Sequence, residues 1–166
     1  MSETDIHWEK IEKLAEAETL RIVDYTPYAT GDEFIPLHDY MEEHFRPIFA
    51  EKMAMLLLLV AYRYLDSVIY VQGSSDWFYK QFPGLERDLN VRHFEPEKLV
   101  SYIRKIIADD IAVAFLVYVP ENDCLIRITG GFSTEIYGDD EEFLNLLDVL
   151  AKQQGLFIRE LSKKDW

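Results

Sequence analysis

The stretch that most limits how this chain can fold is Ile48 to Leu65, which is apolar around most of its circumference when wound as a helix. Its centre, Met53 to Tyr62, carries no charge and is bounded by Lys52 and Arg63. That run is about half of the ~20 residues a membrane span requires, so it predicts a buried core helix and no membrane association. A helix of this kind needs cover on several sides, which makes it the expected centre of the fold. A second apolar run, Ile111 to Val119, is rich in β-branched residues and predicts a strand buried on both faces.

Other elements assemble around these two. Thr4 or Asp5 caps a first helix reaching about Ala17, with Ile6, Ile11 and Leu14 on one face and alternating charges on the other. Thr19 to Tyr25 reads as a short strand, followed by a loop over 26–32. The helical region His38 to Leu65 contains Pro47, which removes a backbone hydrogen bond and predicts an interruption or kink. Ser67 to Gln72 reads as a strand, Trp77 to Gln81 as a short helix, and Leu85 to His93 as an ambiguous segment with edge-strand character. Pro96 opens a helix to about Ala108, with Leu99, Val100, Ile103, Ile106 and Ile107 on one face. Pro120 to Asp123 supplies a turn into a returning arm, Cys124 to Thr129. Asp139 and Glu142 suit a capping box for a helix that Gly155 ends, and Leu156 to Leu161 is a last strand. The expected fold is α+β (or mixed α/β): one domain over residues 1–166, built on a mixed β-sheet of about four to six strands covered by helices, with a C-terminal hairpin–helix–strand unit.

Charge narrows the partners. The 166 residues hold 31 Asp plus Glu against 17 Lys plus Arg, a net charge of −14, while 49% of the chain is hydrophobic. A folded core inside a negative shell repels phosphate backbones and favours cationic partners. The densest basic pairs are Arg104-Lys105 and Lys163-Lys164, which form no nucleic-acid patch. Cys124 is the single cysteine, so no intrachain disulfide forms, and it reads as an ordinary strand thiol. The first residues lack the basic and apolar regions of a secretory leader, and cytoplasmic localisation is the expectation.

No motif fixes a reaction, a cofactor or a catalytic residue, and four constellations carry the remaining candidates. The strand-to-helix turn Gly73-Ser74-Ser75-Asp76 is the candidate ligand site, because a helix start presents unpaired N–H groups and Gly73 allows close approach; its plainer reading is a helix cap. It lacks the lysine of a phosphate-binding loop. His38 and Glu42, one helical turn apart, could begin a metal site whose other ligands must come from elsewhere. Trp77, Phe78 and Tyr79 are consecutive, and a helix cannot bury three adjacent side chains on one narrow face, so at least one of them points to a groove or a partner. Asp139, Asp140, Glu141 and Glu142 complement a helix dipole and could contribute to a negative docking surface. Gly130 and Gly131 suggest a bulge or turn ahead of Phe132.

Two functional expectations follow. The first is an interaction module of the inhibitor or immunity type that docks a basic protein. The alternative is a small ligand-binding or enzymatic domain with its pocket at Gly73–Asp76. Oligomeric state is not encoded in any of these features.

Overall fold

In the computed structural model the described residues are 2–109, 113–162 and 164. The start of the strand expected over 111–119, together with Lys163, lies outside them. The elements run α1 (Glu3–Ala15), β1 (Thr19–Asp24), a 3-10 turn (Asp32–Phe34), α2 (Ile35–Arg63), β2 (Val68–Gly73), α3 (Asp76–Tyr79), α4 (Pro96–Asp109), β3 (Val113–Val119), β4 (Cys124–Ile128), β5 (Thr134–Tyr137), α5 (Glu141–Gln153) and β6 (Phe157–Ser162). The class is α+β, as expected.

The strand order is β2-β3-β4-β5-β1-β6, and every pairing is antiparallel. The sheet is therefore not mixed. Alternating helices and strands suggested parallel neighbours, because a helix usually returns the chain to start the next strand in the same direction. Here β5 and β6, joined through α5, do run the same way, but β1 is inserted between them and pairs with both. The strands joined by α2, β1 and β2, also share a direction and have three strands between them.

Two apolar layers hold the sheet. On one face Phe49, Met53 and Leu57 of α2, Ile103, Ile106 and Ile107 of α4, and Phe143 and Leu147 of α5 pack on Ile69, Val117, Ile126 and Ile136. On the other, Trp8, Ile11 and Leu14 of α1 cover Tyr70, Leu116, Tyr118, Leu125 and Tyr137. All seven residues of β3 are buried, which is why its sequence shows no alternation. The half of this second face that α1 does not cover carries charge instead. Arg127 pairs with Glu135 at 3.3 Å and Arg159 with Asp24 at 2.6 Å, and the Tyr137 hydroxyl donates to Glu135 at 2.9 Å.

Local chemistry explains the ends. Ser2, not Thr4 or Asp5, caps α1: its hydroxyl accepts from the Asp5 N–H at 3.1 Å and the Asp5 carboxylate accepts from the Ser2 N–H at 2.7 Å. Asp140, not Asp139, caps α5 and accepts from the Phe143 N–H at 2.8 Å. At the far end Gly155 takes φ +69°. Its N–H donates to Lys152 O at 3.0 Å and the Leu156 N–H to Ala151 O at 2.9 Å, the paired bonds of a Schellman motif. The segment expected as an edge strand over 85–93 forms none, yet it contacts an edge. The Asn90 side chain accepts from the Ile69 N–H at 3.1 Å, and the Val91 N–H donates to Ile69 O at 2.9 Å. The outer side of β2 is thereby occupied at Ile69. The four-residue β5 has no counterpart in the sequence reading.

Pro47 does not divide α2, which runs 29 residues and is about 43 Å long. The longest strand has seven residues, about 23 Å. The helix therefore outruns the sheet. None of its residues before Phe49 is buried.

Candidate functional site

The four residues expected to form a ligand site do not act together. The Gly73 N–H donates to the Tyr79 hydroxyl at 3.1 Å. A side chain at Gly73 would collide with the Phe78 ring, so glycine is needed here for packing. Ser75 starts α3 without a side-chain cap bond, and α3 is only four residues long. Asp76 pairs with Arg87 at 3.2 Å. A polar cleft of about 210 Å3 touches Gly73 together with Trp8, Glu12, Gln72, Tyr79, Arg87 and Asp88, but Ser74, Ser75 and Asp76 do not line it.

The aromatic triplet splits as its helical spacing requires. Phe78 is buried against Phe82, with ring centroids 4.8 Å apart, so it presents nothing to a partner. Tyr79 is half-buried under Arg87. Trp77 is 63% exposed. The acidic run is largely engaged: Asp139 with Arg21 at 3.3 Å, Glu142 with Arg63 at 3.4 Å, and Asp140 in its cap. Glu141 has an exposed side chain.

His38 Nε2 stands 3.9 Å from Glu42 Oε1, on the same helix face as expected. Glu42 is also gripped by Arg46, which occupies its other oxygen. Among the described residues no third His, Cys, Asp or Glu joins them in a group that could hold a metal ion.

What His38 does meet is Phe132, the residue after the two glycines, with ring centroids 6.4 Å apart and planes at 82°. Two segments flagged separately in the sequence thus form one wall. Behind it lies a cavity of about 180 Å3. Val23 of β1 and Tyr25 just after it, Phe34 of the 3-10 turn, Leu37 and Met41 at the start of α2, Phe49 and Phe132 supply its apolar surface. The rings meet edge to face: Tyr25 and Phe132 at 5.7 Å and 88°, Phe49 and Phe132 at 5.0 Å and 89°. Asp24, Thr26, Thr30 and His38 add polar groups. The Tyr25 hydroxyl is buried with no hydrogen-bond partner, and burial pushes its pKa up. Lys52 Nζ sits over the Tyr25 ring, 4.9 Å from its centroid, and burial lowers the lysine's pKa. A shallower depression of about 380 Å3 lies beside the cavity and shares Ile22, His38 and Phe132 with it. Thr134, whose hydroxyl is likewise buried and unpartnered, lines that depression.

A second feature lies farther along α2. Phe49, Met53, Leu56, Leu57 and Val60 are buried, but Ile48, Met55, Leu59 and Tyr62 remain between 43% and 57% exposed. At seven-, four- and three-residue spacings these four share one side of the helix. The expectation that this helix is covered on several sides is thus only partly met. Its flanks are tied to α4 by Arg104–Glu51, with an Nε–Oε1 distance of 2.5 Å, and to α5 by Arg63–Glu142. Those neighbours hold the helix in place and leave its outer side bare. No helix among the described residues is long and apolar enough to cross a membrane. No family model, curated protein or solved structure matches the chain.

Proposed function

We propose that the chain is a protein-binding module that docks a basic partner through the outer side of α2. The observation that carries this reading is the stripe Ile48, Met55, Leu59 and Tyr62, exposed on a helix whose other sides are fixed in the core. A fixed stripe at helical spacing fits the apolar face of a partner helix, with side chains interdigitating along the ridges. The net charge of −14 selects the sign of that partner and accelerates its approach. Exposed Glu51 and Glu142 flank the stripe. Their arginine partners are exposed too, and such pairs are worth ~0–1 kcal/mol, so a cationic partner can exchange into them at little cost.

The test compares the wild-type chain with the double variant Met55→Asp, Leu59→Asp in capture experiments at about 50 mM and about 500 mM salt. The wild type is expected to retain a basic protein at low salt and lose it at high salt. The variant loses it at both, with affinity reduced by at least about tenfold and an unchanged melting temperature. Identical captured proteins for the two chains would overturn the reading. So would a self-dimer that the variant dissolves, since a second copy would then occupy the stripe.

A further inference from the structure

We infer that the occupant of the α2 stripe is one basic amphipathic helix of about seven turns, which runs past the sheet and sets positive side chains over the free first half of α2. This rests on the docking reading above and names the partner that the same surface takes. Spacing is the first observation. Leu37, Ile48 and Leu59 recur every eleven residues, as do Tyr40, Glu51 and Tyr62, and so do His44 and Met55. All of them are exposed, and the steps between neighbours run three, four, four throughout. At ~100° per residue they fall within about 100° of the circumference. An eleven-residue repeat advances about 3.67 residues per turn, close to that of a straight helix, so the row stays on one side. From Leu37 to Tyr62 it covers about 26 residues, or about 37 Å. A facing helix meets such a row turn by turn, since both rise about 5.4 Å per turn, whereas an extended strand repeats every ~6.8 Å and slips out of step.

Charge is the second observation, and it gives the occupant its sign and its polarity. The row begins where α2 has no buried residue, so Leu37 and Tyr40 stand clear of the core. Beside them lies an open depression of about 480 Å3 lined by Asp39, Glu42, Glu43, Arg46, Pro47 and Ala108. Arg46 is taken by Glu42, Glu43 has only His44 at 3.8 Å, and Asp39 pairs with no cation among the described residues. In the second half of α2 the flanking acids Glu51 and Glu142 already hold Arg104 and Arg63. Lysines or arginines of a partner therefore gain most over the first half. A second copy of this chain brings its own −14 to that end and is the wrong sign for it.

The probe is a labelled synthetic helix of that length, with Leu at the three-four-four positions, Arg beside them and Ala or Gln elsewhere, titrated into the full chain by fluorescence anisotropy. A shorter peptide matches only Ile48 to Tyr62, and a third carries Glu for every Arg. The expected result is saturable one-to-one binding of the long peptide, with the short and acidic peptides at least about tenfold weaker. Leu37→Asp with Tyr40→Asp lowers the long peptide to the affinity of the short one, leaves the short one unchanged, and keeps the melting temperature. Leu37 also lines the aromatic cavity, so should that pair not fold, Tyr40→Asp alone carries the comparison. Asp39→Asn with Glu43→Gln weakens the long peptide by about threefold or more. No saturable binding, equal affinity of the long peptide and either control, or wild-type affinity in either folded double variant would each overturn the inference. Long and short peptides that bind alike, both requiring Met55 and Leu59, would sink this helix and leave the docking reading standing. That reading fails separately, when Met55→Asp with Leu59→Asp captures the same proteins as the wild type.

Discussion

At the scale of single residues, Cys124 shows how burial and charge act together. Its thiol is fully buried at the start of β4, and burial pushes its pKa from near 9 up to about 11; a backbone hydrogen bond from Asp140 opposes the shift, and the nearby carboxylates of Asp140, Asp123 and Asp139 add to it. The folded state therefore holds the thiol proton at pH values where the unfolded chain has released it. Stability from this group is complete below about pH 9 and is lost as pH rises towards 11. Urea unfolding at about pH 8 and about pH 10.5 should show the wild type losing ~2 kcal/mol more than Cys124→Ala between the two. An equal loss in both proteins would contradict it. The same burial suppresses the thiolate and makes Cys124 a poor nucleophile in the folded protein.

At the scale of elements, single side chains decide where helices begin. Asp140→Ala removes the acceptor for the Phe143 N–H and should cost ~1 kcal/mol in urea unfolding, whereas Asp139→Ala, which removes only a surface pair, should cost less than half of that. Amphipathic α4 was legible because Leu99, Ile103, Ile106 and Ile107 fall on one face and all are buried. So was β3, whose unbroken apolar run matches burial on both sides. The sequence misled where an element's surroundings come from distant segments. It read α2 as enclosed because hydrophobicity says that a face can be buried, not that a neighbour exists to bury it. It read an interruption or kink at Pro47, and the helix is not interrupted there: the proline lies on an exposed stretch where water can serve the carbonyl that loses its partner. β5 is four residues long, bracketed by Gly131 and Gly138, and too short to show a period. The cavity was invisible because its walls come from β1, α2 and the β4–β5 loop. Only His38 and the segment containing Phe132 drew notice, each for another reason.

At the scale of the whole molecule, the charge of −14 acts on every part of the fold at once. Ion pairs such as Arg104–Glu51 and Lys152–Asp148 are exposed and weak, while the excess of acids repels itself throughout. Screening should therefore favour the folded state. Raising salt from about 20 mM to about 500 mM is expected to raise the melting temperature by a few degrees, against the small loss from screened pairs. A melting temperature that falls over this range would mean that the ion pairs outweigh the repulsion.

The seat of β1 between β5 and β6 has a consequence for the chain as it is made. β1 leaves the ribosome early, but its partners begin only at Thr134 and Phe157. Until those segments emerge, Leu20, Ile22 and Val23 belong to a strand with two open edges, the condition in which nascent chains attract chaperones or one another. The meander β2 to β5 can form while translation continues, and β1 can then add to β5. The sheet closes only when β6 arrives on the far side of β1. A chain released without residues from Phe157 onward would thus pair β1 with β5 alone and leave its other edge bare.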